Sequence, residues 1–215
     1  MADVVIAGNE YLAGHARRFC RNVYILPTGL DIKAFEKVKT YNNDNKIRLV
    51  WIGSRITLRY LEGIKDVLED TGKQNPNVVL RIIADEFFDL NNMAVEKKTW
   101  SLNSEAEDLM QCDIGLAPLP DDRYTQGKCG FKILQYFAAG LPAIASPVGV
   151  NVDFIRNSRA GALAQTKQQW RDEIANMIQN ASLRSQLGQN ARRFAEQFDL
   201  AVLARQFCSI IKSNI

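Results

Sequence analysis

Short apolar runs alternate along this chain with amphipathic stretches, and that alternation constrains the fold more than any other property. Apolar runs flanked by amphipathic partners are how parallel strands joined by helical crossovers look in sequence. The strand candidates are Val4–Ala7, Val23–Leu26, Ile47–Ile52, Val78–Ala84, Glu96–Trp100, Ile114–Ala117, Ala143–Ala145 and Ala162–Ala164. The helix candidates are Glu10–Cys20, Leu58–Asp70, Glu105–Gln111, Phe131–Ala139, Gln168–Asn180, Leu183–Gln197 and Leu200–Lys212. Thr57, Ser104, Thr166, Ser182 and Asp199 each precede a helix by one or two places and are expected to cap it. The expected class is α/β, a doubly wound parallel sheet, with three closing helices that have no strand signal between them.

Between Asp31 and Lys46 the pattern weakens, and Thr40–Lys46 is polar and turn-rich. Residues 1–30 therefore read as a separate βαβ piece, 31–46 as a linker and 47–215 as a full alternating domain. A lone βαβ unit cannot cover both faces of its strands. It either packs on the larger domain or ends a domain whose front half is absent.

With 215 residues, 47% apolar and 24% charged, the chain can bury a sizeable core and is not expected to be disordered. Its 27 basic and 24 acidic residues leave a net charge of +3, too little for a dedicated nucleic-acid binder. Affinity for phosphate must then be local. Cys20, Cys112, Cys129 and Cys208 stand far apart and His15 is the single imidazole, which argues against a zinc site or a disulfide framework and for a reducing compartment. No run reaches the ~18 apolar residues of a membrane span. Met1–Ile6 enters a strand pattern directly, without a basic and then apolar leader, so a cytoplasmic location is expected.

In open α/β sheets ligands bind beyond the carboxyl ends of strands, so the loops there are the places to search. The richest is Gly127–Ser146: a glycine-containing turn, an apolar helix closed by Gly140, Pro142 and a buried strand. A helix N-terminus offers amides without intrahelical partners and a partial positive charge, and Lys128 and Lys132 add full charges beside it. Gly127 and Gly130 allow close approach of an anion to the backbone around Phe131. Gln135 can donate to and accept from ribose hydroxyls, and Cys129 reads as a small packing residue. A second anion loop is Gly53-Ser54-Arg55-Ile56-Thr57-Leu58-Arg59. It lacks the G-x-G-x-x-G fingerprint, which disfavours a dinucleotide-dependent dehydrogenase. Asp85 and Glu86 are hydroxyl acceptors or an exposed cap, and Trp100 is a nucleobase wall or a packing residue. Asp121 and Asp122 read as an exposed acidic turn, and no metal is expected. No Ser/His/Asp or Cys/His arrangement supports a covalent hydrolase.

Trp51-Ile52-Gly53-Ser54, Asp113 through Leu119, Gly127 through Ser146, and the early Gly8-Asn9-Glu10-Tyr11-Leu12 and Ile25-Leu26-Pro27-Thr28-Gly29-Leu30-Asp31 together carry a resemblance. The chain resembles the C-terminal, donor-binding domain of retaining GT-B glycosyltransferases, of the glycosyl transferases group 1 or family 4 type, which build cell-surface polysaccharides. The resemblance implies a Rossmann-like donor domain, with residues 1–31 ending an acceptor domain otherwise missing. It implies transfer of a sugar from a nucleotide diphosphate sugar to a carbohydrate or glycolipid acceptor with retained configuration and no cofactor. This chain alone is not expected to complete that transfer.

The resemblance places Gly53, Ser54, Arg55, Arg59, Trp100, Gly127, Lys128, Cys129, Gly130, Phe131, Lys132 and Gln135 around the nucleotide sugar, and assigns no catalytic residue. Arg59 falls where these enzymes carry a phosphate-binding lysine, while Ser54 replaces their arginine. Gly127 and Gln135 replace two glutamates that members carry eight positions apart. Loss of both favours one rival reading, a non-catalytic nucleotide- or partner-binding module; the other is a nucleotide-sugar epimerase of the same architecture. The closing helices, which in this fold return toward the other domain, are expected to expose apolar faces that favour homo-oligomers. Peripheral attachment to a membrane is compatible with the reading.

Overall fold

The computed structural model describes residues 2–36 and 44–214. Strand β1 (Val5–Ala7), helix α1 (Glu10–Ala16) and strand β2 (Val23–Ile25) open the chain, and the two strands pair in parallel with Val5 opposite Val23. The Asn9 side chain starts α1 by accepting from the Leu12 amide at 2.9 Å. The helix ends at Ala16 instead of reaching Cys20, and Phe19, the residue that would extend its apolar face, stays 66% exposed with no core to enter.

Leu30, Ile32 and Phe35 are buried in the main core, the last two in a 3-10 turn over Ile32–Phe35. The first part of the expected linker is thus packed structure, and its remainder at 37–43 lies outside the described residues. Strand β3 (Ile47–Ile52) follows, then α2 (Arg55–Glu62), α3 (Lys65–Gln74), β4 (Val78–Ala84), β5 (Ala94–Thr99), α4 (Glu105–Met110) and β6 (Ile114–Ala117). The chain continues through α5 (Arg123–Gln126), α6 (Phe131–Ala138), β7 (Ala143–Ala145), α7 (Val150–Ser158) and β8 (Gly161–Leu163). Helices α8 (Lys167–Gln179), α9 (Ala181–Ala195) and α10 (Leu200–Lys212) close it.

Among the described residues, β3 to β8 form one parallel sheet in the order β5-β4-β3-β6-β7-β8. The succession runs one way from β3 to β5 and the other way from β6 to β8, so the switch point lies between β3 and β6. Alternation along β3 feeds both faces: Leu49 and Trp51 join a core with Leu61, Leu80, Ile82 and Trp170, while Val50 and Ile52 join one with Ile133, Leu134 and Phe137. Tyr136 anchors α6 to the sheet at the switch point. Its hydroxyl donates to Leu116 O at 2.9 Å and accepts from Ile52 N at 3.1 Å, bridging β6 and β3. A side chain at Gly115 would run into the Tyr136 ring, which accounts for a glycine in the middle of β6.

Further elements differ from the sequence pattern, among them the short helix α5, which was not expected. The single helix expected over Leu58–Asp70 is two, broken at Gly63 and Ile64, and the first begins at Arg55 with Ser54 as its cap where Thr57 was expected. Helix α7 has no counterpart among the expected elements. Its buried positions, Asn151, Phe154, Ile155 and Ser158, have helical spacing, but two of the four are polar and hide the period.

Candidate functional site

At the switch point a cavity of about 250 Å³ opens beyond the carboxyl ends of β3 and β6. Thr57 and Tyr60 of α2 form one wall, Ala117 at the end of β6 with Pro118 and Leu119 after it the floor, and Lys128 to Ile133 with Asn151 the other wall. Its volume lies just below the range of about 300–1,000 Å³ common for whole small ligands, so it suits part of a larger molecule.

The two helix starts facing the crevice are built differently. At α2, Asp85 Oδ1 accepts from Arg55 N at 2.6 Å and Thr57 Oγ1 accepts from Ser54 N at 3.2 Å. The Arg55 guanidinium turns to Glu86, 3.6 Å away. Gly53 is enclosed, since a Cβ there would meet Trp51 Cη2 at 2.5 Å. At α6 the cap is Gly130, with φ 68° and no side chain to offer. Any other residue there would be strained, and its Cβ would meet Phe154 Cε2 at 2.6 Å. The first amides of α6, at Phe131 and Lys132, are thus left without a capping side chain.

Both lysines beside that start lack a carboxylate partner among the described residues. Lys132 Nζ sits 3.9 Å from the centroid of the fully buried Trp51 ring. Burial, and then the neighbouring charge of Lys128, push its ammonium well below the usual lysine range. The π face of Trp51 gives back part of that penalty. Trp51 Nε1 itself is buried without a hydrogen-bond partner among the described residues. Lys128 Nζ stands 4.7 Å from the ring centroid of exposed Tyr124. Arg59 stands outside the lining, its Nη2 donating to the OH of Tyr60, which does line the cavity, at 3.4 Å.

The structure thus gathers Lys128, Cys129, Gly130, Phe131 and Lys132 on one cavity wall; from the facing helix Thr57 and Tyr60 line it, while Gly53, Ser54, Arg55 and Arg59 belong to the same stretch of chain but stand outside the lining. It does not bring in the rest. Gln135 is buried at 5% exposure and does not line the cavity. Gly127 faces the opening segment, where a Cβ would lie 3.4 Å from Leu12 Cδ2. Trp100, 48% exposed, donates from Nε1 to Glu105 Oε2 at 2.6 Å and stands apart from the lining. Asp85 acts as a cap, and Asp122 caps α5 by accepting from Thr125 N at 2.8 Å. Among the described residues no group of three or more His, Cys, Asp or Glu could hold a metal.

Tyr60 and Asn151 line the cavity without having been singled out in the sequence. Asn151, 3% exposed, donates to Ser146 O at 3.4 Å. The signal that could have found it is Gly149, whose φ of 53° makes a second glycine turn at a helix start, just past the motif that ends at Ser146.

The parallel sheet flanked by helices matches the Rossmann-like fold of GT-B proteins, and solved structures align with most or all of it. HepE of Anabaena, in complex with UDP and glucose, superposes with a TM-score of 0.78 at 17% identity over 99% of this chain and 64% of that one. Sucrose-phosphate synthase of Thermosynechococcus elongatus gives 0.76 at 17% identity over 99% and 58%. The C-terminal domain of LpcC, a glycosyl transferase group 1 family protein of Francisella tularensis, gives 0.65 at 17% over 80% of this chain and 100% of that domain. No curated protein matches the sequence. The profile of the family described as glycosyl transferases group 1 matches residues 32–194, about three quarters of the sequence, and the chain belongs to that family. It spans about three fifths of the length of HepE and of sucrose-phosphate synthase. Among the described residues no helix is long and apolar enough to cross a membrane.

Proposed function

We propose that the cavity holds the diphosphate of a nucleotide sugar, and that the intact protein transfers the sugar, with retention, to a carbohydrate or glycolipid acceptor. The observation that carries this reading is Lys132: an ammonium laid against the buried Trp51 ring, with no carboxylate partner among the described residues, beside a helix start with no capping side chain. A cation desolvated without a partner is costly unless a ligand supplies the charge. The amides at Phe131 and Lys132, with the lysines themselves, would bind the phosphoryl oxygens and stabilise the charge that grows on them as the glycosidic bond breaks. Arg59, beside Tyr60, adds a solvated charge, and Thr57 and Tyr60 shape the facing wall. HepE, whose structure contains UDP, offers the probe. Calorimetric titration with UDP, GDP, ADP and dTDP is expected to give binding by at least one, weakened by Lys132→Met. Silence from all four sinks the reading.

One feature favours a second reading. Among the described residues no carboxylate lines the cavity, which suits a module that binds the nucleotide without turning it over. Consumption of a labelled nucleotide sugar by the full-length protein would exclude that alternative.

A further inference from the structure

Asn9 lies in the opening segment, far along the chain from the cavity, yet it is 3% exposed because it is inserted against the turn that precedes α6. Its Nδ2 donates to Lys128 O at 3.0 Å and, more weakly, to Gln126 O at 3.5 Å, while its Oδ1 accepts from Leu12 N. One amide therefore caps α1 and holds two carbonyls of the loop that bears Lys128. The seam around it is tight. A side chain on Gly8 would collide with Cys129 Sγ, and Leu12 packs against Gly127.

Planarity of the peptide unit gives this contact a consequence. With the Lys128 carbonyl turned to Asn9, the amide of the same unit, that of Cys129, must point the opposite way. Cys129 lines the cavity, and its N–H makes no backbone hydrogen bond among the described residues. We propose that Asn9 is a positioning residue for the anion site, fixing the Lys128–Cys129 peptide so that the Cys129 amide joins those of α6 in binding a phosphoryl group. The proposal rests on the diphosphate reading above. It also makes the opening βαβ segment part of the site, because ligand and segment hold opposite edges of one peptide. By linkage, a ligand that uses the Cys129 amide must tighten the grip of Asn9 on the loop by the same factor that Asn9 tightens the ligand.

The side chain allows a clean separation of its two roles. Serine at position 9 still caps α1 through its hydroxyl, but it is too short to donate to Lys128 O. Asn9→Ser is expected to keep the α-helical circular dichroism and to bind the best of the four nucleoside diphosphates roughly tenfold more weakly, the loss set by one oriented hydrogen bond. A merely structural role would not move the second readout, ligand-dependent hydrogen exchange. In the wild type, saturating nucleotide should slow exchange over residues 10–13, which do not line the cavity, as well as over 129–133. In Asn9→Ser the protection should be confined to 129–133. Equal affinities for the two proteins, or nucleotide protection of residues 10–13 that survives the substitution, overturns the proposal while leaving the diphosphate reading intact. A wild type that binds none of the four overturns both.

Discussion

Helices α2 and α6 begin on opposite sides of the same crevice, each just after a glycine, yet only one start is free. At α2 the chain supplies its own anion: the Asp85 carboxylate takes the Arg55 amide, and Glu86 takes the Arg55 guanidinium. At α6 the cap is a bare glycine, and among the described residues the two nearby lysines pair with aromatic rings and with no carboxylate. The difference teaches that a glycine at a strand–helix junction with basic residues nearby does not by itself make an anion site. What makes one is the failure of the rest of the fold to satisfy the amides and charges gathered there.

The severest way to break this contrast is Gly130→Ala. The substitution forces a left-handed residue and drives a methyl into Phe154, so a loss of about 2–3 kcal/mol in stability is expected, read by chemical denaturation. Nucleotide binding should fall with it. If alanine is accepted at less than about 0.5 kcal/mol, the turn is not under the constraint inferred.

Next in size is Lys132→Met, for which binding and stability should move in opposite directions. Loss of a charge-assisted contact predicts roughly 10- to 100-fold weaker nucleoside diphosphate, while removal of a desolvated ammonium without a carboxylate partner among the described residues should leave the fold as stable or more so. The sign of the pH dependence follows from the lowered lysine value. The unfolded chain holds the Lys132 proton up to about pH 10.4 and the folded chain releases it earlier, so between those values this residue makes stability rise with pH. A bound anion pulls the proton back. Binding should therefore take up protons between the lowered folded value of Lys132 and the ordinary lysine value, on the alkaline side of the phosphate's own ionisation near ~6, and weaken as pH rises through that window. Calorimetry in two buffers of different ionisation enthalpy checks this, and in Lys132→Met the lysine's share of the uptake should vanish.

Much of this arrangement was legible in the residues. The apolar runs at Ile47–Ile52, Val78–Ala84, Ile114–Ala117 and Ala143–Ala145 coincide with the observed strands because burial on both faces leaves an unbroken apolar signature. The glycine-rich loop and its lysines were legible for the same local reason: their neighbours in sequence are their neighbours in space. What sequence could not supply was the partner from elsewhere. Asp85 reaches back across 30 positions to cap α2, Trp51 of β3 lies under Lys132, and Asn9 crosses 119 positions to Lys128 O. The polar members of the buried stripe of α7 concealed a helix, and with it Asn151.

Asp85→Ala would sharpen the comparison at the α2 side. Removing an N-terminal carboxylate acceptor costs about 1 kcal/mol, a small drop in thermal midpoint. Nucleotide affinity should stay within about twofold, since the amide it frees belongs to α2 and not to the anion site proposed at α6. A tenfold gain in affinity would reveal α2 as a competing anion site and remove the asymmetry on which the contrast rests.

The smallest effects separate two arginines on one helix. Arg55 and Glu86 form an ion pair whose side chains are 67% and 53% exposed, and such pairs contribute at most a few tenths of a kcal/mol. Arg55→Ala should therefore leave both stability and nucleotide affinity unchanged within error. Arg59 has no carboxylate within ion-pair distance among the described residues and lies beside Tyr60 of the cavity wall, free to lend its charge to a ligand across solvent. Arg59→Ala is expected to weaken binding about threefold at low salt and less at 0.5 M, because a solvated charge acts through a field that salt screens within about 10 Å or less. Equal behaviour of the two variants at low salt would mean that the pairing of Arg55 with Glu86 does not matter to the site. The distinction between a satisfied and an unsatisfied helix start would then have to rest on α6 alone.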